Sequence, residues 1–157
     1  MTEITYPGPQ FPGPAGVSVY CPDGWDPAPD LPWALALIKK VDAGVFRPNV
    51  IVSVRRMAKG TALPTAVKEL HDRAATLKEY TPIGEETREI AGWPGVRMEG
   101  SFIDATAGTL VQAICLVAVD RGKVEDLVQI TGTCHAKQVP DALEQIRTVQ
   151  KSMVIQV

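Results

Sequence analysis

Residues 92–134 read GWPGVRMEGSFIDATAGTLVQAICLVAVDRGKVEDLVQITGTC, and the pattern of this stretch decides the fold. Apolar and polar residues alternate with the period of a β-strand, and turn-forming residues interrupt the alternation twice. The pattern predicts three successive strands over 96–103, 109–120 and 123–134. Arg121-Gly122 is predicted as the two-residue turn of the second hairpin.

The second hairpin has two unequal faces. If Asp120 pairs with Lys123, one side is apolar and predicts the core; it carries Val111, Ala113, Cys115, Val117 and Val119 with Val124, Val128 and Ile130. The opposite side is mixed, which indicates a face that is partly covered or offered to a partner; it carries Gln112, Ile114, Leu116, Leu127, Gln129 and Thr131.

The rest of the chain adds helices and shorter strands around this hairpin. Strands are predicted over 17–20, 33–41, 49–57 and 81–90, and amphipathic helices over 63–80 and 139–152. Residues 1–16 are rich in Pro and Gly and predict an extended arm, either pinned by Tyr6 and Phe11 or frayed. Residues 17–157 are long enough for a single domain with its own core.

Composition excludes several classes of function. The formal net charge of 157 residues is −2, which disfavours a nucleic-acid-binding protein. There is no signal-peptide pattern, no lipobox cysteine and no apolar run of about 20 residues, so we predict no membrane insertion. These features predict a cytoplasmic protein, with leaderless export as the alternative. Cys21, Cys115 and Cys134 lack metal-ligand spacing, so no metal site is predicted.

The sequence is also similar to a known family. FRPNVIVSVRRM at 46–57, GWPGVRMEGSF at 92–102, the long hairpin and the closing helix resemble the LpqN/LpqT family of actinobacterial proteins, over about residues 17–155. Members of that family are exported and lipid-anchored, and it resembles part of the PsbP-like superfamily. The resemblance implies an α+β fold, an antiparallel sheet packed with helices in a PsbP-like α/β/α sandwich. It also implies binding of other proteins without catalysis, and no catalytic residues are carried over.

Motifs of catalysis are missing from the sequence. No Gly-x-Ser-x-Gly elbow, phosphate-binding glycine loop or HExxH helix is present, which predicts a protein without enzymatic activity or a cofactor. Trp25, Trp33 and Trp93 lie in or beside Pro/Gly-rich loops, where they either plug the open end of a sheet or anchor an interface.

Seven polar residues form the candidate binding site. They occupy the non-core faces of their predicted strands, and they are Arg55, Arg97, Glu99, Ser101, Gln112, Gln129 and Thr131. If the strands are neighbours, these side chains form a polar band across one sheet face. The band is either a protein-docking surface with Arg anchors or a solvated face with cross-strand pairs.

Three functional hypotheses follow from these observations. The first is a non-enzymatic, protein-binding module of the adaptor or chaperone type. The second is a small-molecule-binding protein or cryptic enzyme with a pocket between sheet and helix. The third is a structural homo-oligomer, in which exposed sheet edges and the N-terminal arm complete a neighbouring copy.

Overall fold

Seven antiparallel strands form the central sheet, and the computed structural model describes all residues, 1–157. The strands of this sheet lie in the order β2-β3-β4-β8-β7-β6-β5, and a separate two-stranded sheet pairs β1 with β9. The elements are β1 Gly16–Ser18, β2 Trp25–Pro27, β3 Leu35–Lys39, β4 Asn49–Ala58, α1 Ala62–Ala74, β5 Thr81–Ile90, β6 Trp93–Asp104, β7 Gly108–Asp120, β8 Val124–His135, α2 Glu144–Lys151 and β9 Val154–Gln156. A 3-10 turn, Ala136–Gln138, and a π-helical turn, Val139–Leu143, lead into α2.

The β7–β8 hairpin turns one residue later than predicted. The amide of Arg121 donates to the carbonyl of Val124 at 3.0 Å, so Gly122-Lys123 is the turn and the prediction of Arg121-Gly122 is wrong. Gly122 has φ +90°, and the first position of a type II′ turn favours glycine for that reason. The partner of Asp120 is thus Glu125 and not Lys123, a change of two residues. Because side chains alternate with a period of two, this change leaves each side chain on its predicted face.

Helix α2 covers the apolar face of the hairpin, the face that the sequence predicts as core without assigning a particular helix to it. The core on this side joins Val111, Ala113, Cys115, Val117 and Val119 to Val128 and Ile130, to Val50 and Val52 of β4, and to Ile146 and Val149 of α2. Of the residues predicted for this core, Val124 is only half-buried, because it begins its strand beside the turn.

Helix α1 covers part of the mixed face. Ala62 and Ala66 pack against a smaller core of Val96, Met98, Ile114, Leu116 and Leu127. One helix therefore lies on each side of the sheet, which confirms the α+β class and the sandwich of helix, sheet and helix. Neither helix has the length and apolar composition of a membrane-crossing segment.

Helix α1 ends six residues earlier than predicted. It stops at Ala74, where the Thr76 hydroxyl donates to the carbonyl of Arg73 at 2.7 Å and competes with continued helix. Leu77 fits the apolar periodicity of α1, but it lies in the turn that follows the helix. The amide of Ile103 in β6 then donates to the carbonyl of Lys78 at 2.9 Å, which holds this connection against the sheet.

The N-terminal arm is fixed by its backbone rather than by its aromatic side chains. The amide of Ala15, which is 5 % exposed, donates to Asp126 Oδ2 at 2.9 Å, and Arg56 contacts the carbonyl of Pro12. Tyr6 and Phe11 are exposed, so they do not pin the arm to the domain. The division of the chain after residue 16 stays a prediction.

Candidate functional site

The sheet register separates the seven predicted site residues onto opposite faces. Arg97, Glu99 and Ser101 lie opposite Cys115, Ala113 and Val111, on the face that α2 covers. The other four lie on the α1 face, and they are Arg55, Gln112, Gln129 and Thr131. The prediction of one continuous polar band is therefore wrong.

The physical reason lies in β6. Its apolar residues Val96 and Met98 face α1, whereas the stronger apolar stripe of β7 faces α2. A helix covers each side of the sheet, so both sides contain apolar residues. Strand β6 turns its apolar residues to α1 and β7 turns most of its own to α2, and the polar residues of the two strands therefore lie on opposite sides.

Glu99 is the centre of a buried ion cluster. Its side chain is 4 % exposed and accepts two hydrogen bonds from Arg147 of α2, from Nε at 3.0 Å and from Nη2 at 2.6 Å. Arg97 on the same strand contacts the same carboxylate. The hydrogen bonds from Arg147, helped by the charge of Arg97, hold the pKa of Glu99 below its ordinary value although burial acts in the opposite direction.

A pocket with a volume of about 170 Å³ opens beside this cluster, between α2 and the β5–β6 hairpin. Its lining includes Arg88, Arg97, Arg147, Lys151, Cys115 and Gln150. This is the sheet–helix pocket that the second hypothesis requires, but charged side chains rather than apolar ones dominate its mouth.

Two uncharged side chains at the inner end of the pocket limit its chemistry. Burial raises the pKa of Cys115 to about 11, so the group is a thiol at neutral pH and a poor nucleophile. Gln150 Nε2 donates to the carbonyl of Ala113 at 2.9 Å, while its Oε1 is buried without a hydrogen-bond partner.

Sequence reasoning missed Arg147, Gln150 and Lys151. The sequence predicts the apolar side of α2 but assigns its polar residues to no site. The available signal was their spacing, since residues three and four apart share one side of a helix.

The α1 face contains a second candidate surface, which we call the uncharged strip. It consists of Ile51, Ser53, Gln112, Gln129, Thr131 and Thr133, side by side on β4, β8 and β7. Gln112 donates to the Thr133 hydroxyl at 3.1 Å, and Gln129 donates to the Thr131 hydroxyl at 3.2 Å. These bonds order a polar floor that carries no charge.

The borders of the uncharged strip are different in character. Arg55 lies at one end and forms an exposed ion pair with Glu69 of α1, with 3.0 Å between Nη2 and Oε2. At the β3 edge, Trp33 is 46 % exposed and lines a pocket together with Leu31 and Ile51. Trp25 is buried and Trp93 packs against the core, so these two plug the sheet and Trp33 alone is available as an anchor.

No three His, Cys, Asp or Glu side chains come together in an arrangement that could hold a metal ion.

The family described as probable lipoprotein LpqN matches residues 7–156. The chain belongs to the LpqN family. A search of curated proteins finds no match.

Solved structures show the same fold at low sequence identity. LpqN of Mycobacterium tuberculosis, described as involved in cell envelope biogenesis, has a TM-score of 0.74 and 13 % identity, over 93 % of this chain and 86 % of that one. The PsbP protein of Synechocystis has a TM-score of 0.57 and 14 % identity, over 90 % and 92 %. The Saccharomyces cerevisiae Ran-binding protein Mog1p has a TM-score of 0.53 and 14 % identity, over 87 % and 88 %.

These matches confirm the LpqN resemblance and the PsbP-like fold, and they correct one prediction. The LpqN family is described as one of lipoproteins, which are proteins of the cell envelope, so the prediction of a cytoplasmic protein is wrong. None of the three solved relatives is described as an enzyme.

Proposed function

We propose that this member of the LpqN family is a non-enzymatic, protein-binding module of the cell envelope, an adaptor or chaperone-like protein. The observation that carries the proposal is the uncharged strip with exposed Trp33 at its border. The involvement of Mycobacterium tuberculosis LpqN in cell envelope biogenesis supports the location, and the Ran-binding role of Mog1p supports a protein as the partner of this fold.

The chemistry of the strip favours a protein partner. The centres of protein interfaces are depleted of charge and enriched in tryptophan, and hot-spot residues are most often Trp, Tyr or Arg. The glutamine and threonine side chains already bond to one another, so a partner need not supply a hydrogen bond to each group. Because each amide and hydroxyl keeps further donor or acceptor capacity, the strip can also bond to a partner's backbone.

Charged side chains border the uncharged strip, as they do at the periphery of many protein interfaces. Arg55 is paired with Glu69 at the surface, where both side chains are about half exposed. Such a pair contributes little affinity but can orient a partner. The proposed partner is therefore a protein surface with an apolar side chain for Trp33 and few charges at its centre.

Site-specific photocrosslinking in the native host tests this proposal. A photoreactive amino acid replaces Ser53 in the strip, and the matched control carries it at Thr148, an exposed residue of α2 on the opposite face. We expect one protein to crosslink from position 53 and not from position 148. Trp33→Ala should weaken binding of that protein by about tenfold or more, since tryptophan at an interface is commonly a hot spot.

Three results would contradict the proposal. Equal crosslinking from both positions would indicate non-specific contact, and no protein crosslink from position 53 would leave the strip without a partner. Crosslinks only between copies of the chain would replace the proposal with the homo-oligomer hypothesis. Thermal unfolding of Trp33→Ala shows whether the variant is folded, and an unchanged midpoint is expected because the side chain is 46 % exposed.

A further inference from the structure

Positive charge is concentrated at the pocket between α2 and the β5–β6 hairpin. Four cationic side chains line this pocket, and Glu89 is the one acidic residue in its lining; the cations are Arg88, Arg97, Arg147 and Lys151. The chain as a whole has a net charge of −2, so this local excess runs against its average composition.

Donors in the pocket remain unused. A guanidinium has five N–H donors, and Arg97 makes a hydrogen bond only through Nη2, to Glu99. Lys151 forms no ion pair or hydrogen bond within the chain and is exposed at the mouth. The buried carboxylate of Glu99 holds Arg97 and Arg147 in place without exhausting their donors.

The balance of charge indicates what the pocket can neutralise. Against the four cations stand Glu89 in the lining and Glu99 behind it, which leaves two positive charges without a buried or lining partner. Glu86 pairs with Arg88 and Glu144 pairs with Arg147 at the rim, but their side chains are 55 % and 67 % exposed. Exposed pairs of this kind are weak and are readily exchanged for a better anion.

We propose that this pocket binds the phosphate group of a small phosphorylated ligand. A phosphate monoester carries a charge of about −1.5 to −2 at neutral pH, which matches the two positive charges that have no buried or lining partner and are balanced only by exposed rim carboxylates. Arginine forks bind phosphate oxygens in pairs, and three arginines line the pocket. A volume of about 170 Å³ is several times the ~30 Å³ that one water occupies in the liquid, so a phosphate group has room.

The ligand is either a soluble phosphate ester or the headgroup of a phospholipid, since both present the same group. The pocket lies on the α2 side of the sheet and the uncharged strip on the α1 side. A test of phosphate binding at the pocket is therefore independent of a test of the proposed protein partner at the strip.

Titration of the whole protein with glycerol 3-phosphate, followed by backbone and arginine side-chain NMR, tests the site. We expect shifts confined to the pocket, which means β5, β6, α2 and the part of β7 around Cys115. The double variant Arg88→Ala/Lys151→Ala should weaken binding by about tenfold or more, because it removes two charge-assisted contacts. Lys123→Ala is the control: it removes an exposed lysine of the β7–β8 turn that likewise has no ion pair, and it should leave affinity unchanged.

Vesicles distinguish the two sources of phosphate. Flotation with phosphatidic acid vesicles, compared with phosphatidylcholine vesicles, reports on the lipid headgroup, and loss of this binding in the double variant would assign the ligand to lipid. Binding of glycerol 3-phosphate alone would assign it to a soluble ester. No binding of either probe, or binding that the double variant and Lys123→Ala reduce equally, would overturn the proposal. Arg88 is 54 % exposed, so the double variant is expected to fold.

Discussion

Glu99 shows how a single buried carboxylate can organise a surface. An isolated ionised carboxylate inside a protein costs several kcal/mol, and here two guanidiniums offset that cost. The same contacts join strand β6 to helix α2 across 48 residues of chain and fix two of the arginines that line the pocket. The residue is therefore structural, and its effect on any ligand acts through Arg97 and Arg147.

The ion cluster makes stability depend on pH in a defined direction. Because the folded-state pKa of Glu99 lies below its ordinary value of 4.5, its contribution is present above that value and is lost as pH falls through the folded-state pKa. Glu99→Gln should lower the free energy of unfolding by about 2 kcal/mol at pH 7. The difference from the wild type should shrink below pH 4.5, as measured by denaturant unfolding at several pH values.

Glu86→Gln is the control for this effect. Its carboxylate pairs with Arg88 at the surface, and the side chain is 55 % exposed. The expected change is less than about 0.5 kcal/mol at any pH. A gap between Glu99→Gln and the wild type that persists unchanged in acid would show that the charge of Glu99 is not what stabilises the cluster.

At the scale of elements, the distance between α2 and the sheet depends on a glycine. Gly132 of β8 lies between Val50 and Ala113, and a methyl group added there would overlap Cγ2 of Ile146 in α2. The absence of a side chain at this position lets the helix approach the strand closely, so that Ile146 and Val149 are fully buried.

Gly132→Ala should therefore destabilise the protein by about 1–3 kcal/mol through overpacking. The matched control is Gly84→Ala on edge strand β5, where an added methyl meets no atom within 4 Å. Urea denaturation of both variants measures the difference. If the two substitutions cost the same, close packing of α2 on Gly132 is not the cause.

Strand β5 forms one edge of the sheet, and its sequence disfavours pairing with a strand of another chain. Every residue from 81 to 89 is exposed, and the strand contains Pro82, an irregularity in register between Pro82 and Gly84, and four charged residues. Proline, bulges and charge are the features by which natural edge strands avoid edge-to-edge association. These features of β5 therefore argue against a homo-oligomer that pairs two copies through this edge.

At the scale of the whole molecule, the two ends of the chain are held together on the α2 side. β1 pairs with β9, and the amide of Ala15 donates to Asp126, a buried residue of the long hairpin. Asp126 also accepts a hydrogen bond from Arg121 at 2.6 Å. One carboxylate thus ties the arm, the hairpin turn and the core to one another.

Removal of this carboxylate should loosen the arm before it unfolds the domain. Asp126→Ala leaves a buried amide and a largely buried guanidinium without their acceptor, so we expect a loss of about 3 kcal/mol of stability. Hydrogen exchange should accelerate most at Ala15. Asp26→Ala removes an exposed carboxylate that pairs with Lys40, and it should alter neither quantity. Unchanged exchange at Ala15 in Asp126→Ala would contradict the anchoring role.

Local features of this protein follow from its amino-acid sequence alone. Alternation of apolar residues predicted the long strands β4, β6, β7 and β8, whereas the short strand β2 was missed. It also sorted the β7–β8 faces correctly although the turn was misplaced, because a change of pairing by two residues keeps each residue on its side. The apolar stripe of Leu143, Ile146, Val149 and Met153 predicted a closing helix over 139–152, of which 144–151 is α-helical and 139–143 is a π-helical turn. The two-residue alternation of a strand and the apolar stripe of a helix depend only on residues close in sequence, so both can be predicted without knowledge of the fold.

Contacts between side chains of distant segments follow from the fold and not from local pattern. The register between β6 and β7 placed Arg97 and Glu99 beneath α2 and left Gln112, Gln129 and Thr131 on the other face. Arg147 reached Glu99 from a distant helix, and the α1 periodicity through Leu77 continued past the true end of the helix. Strand register and helix placement depend on contacts between distant segments, and no local pattern in a single sequence contains them.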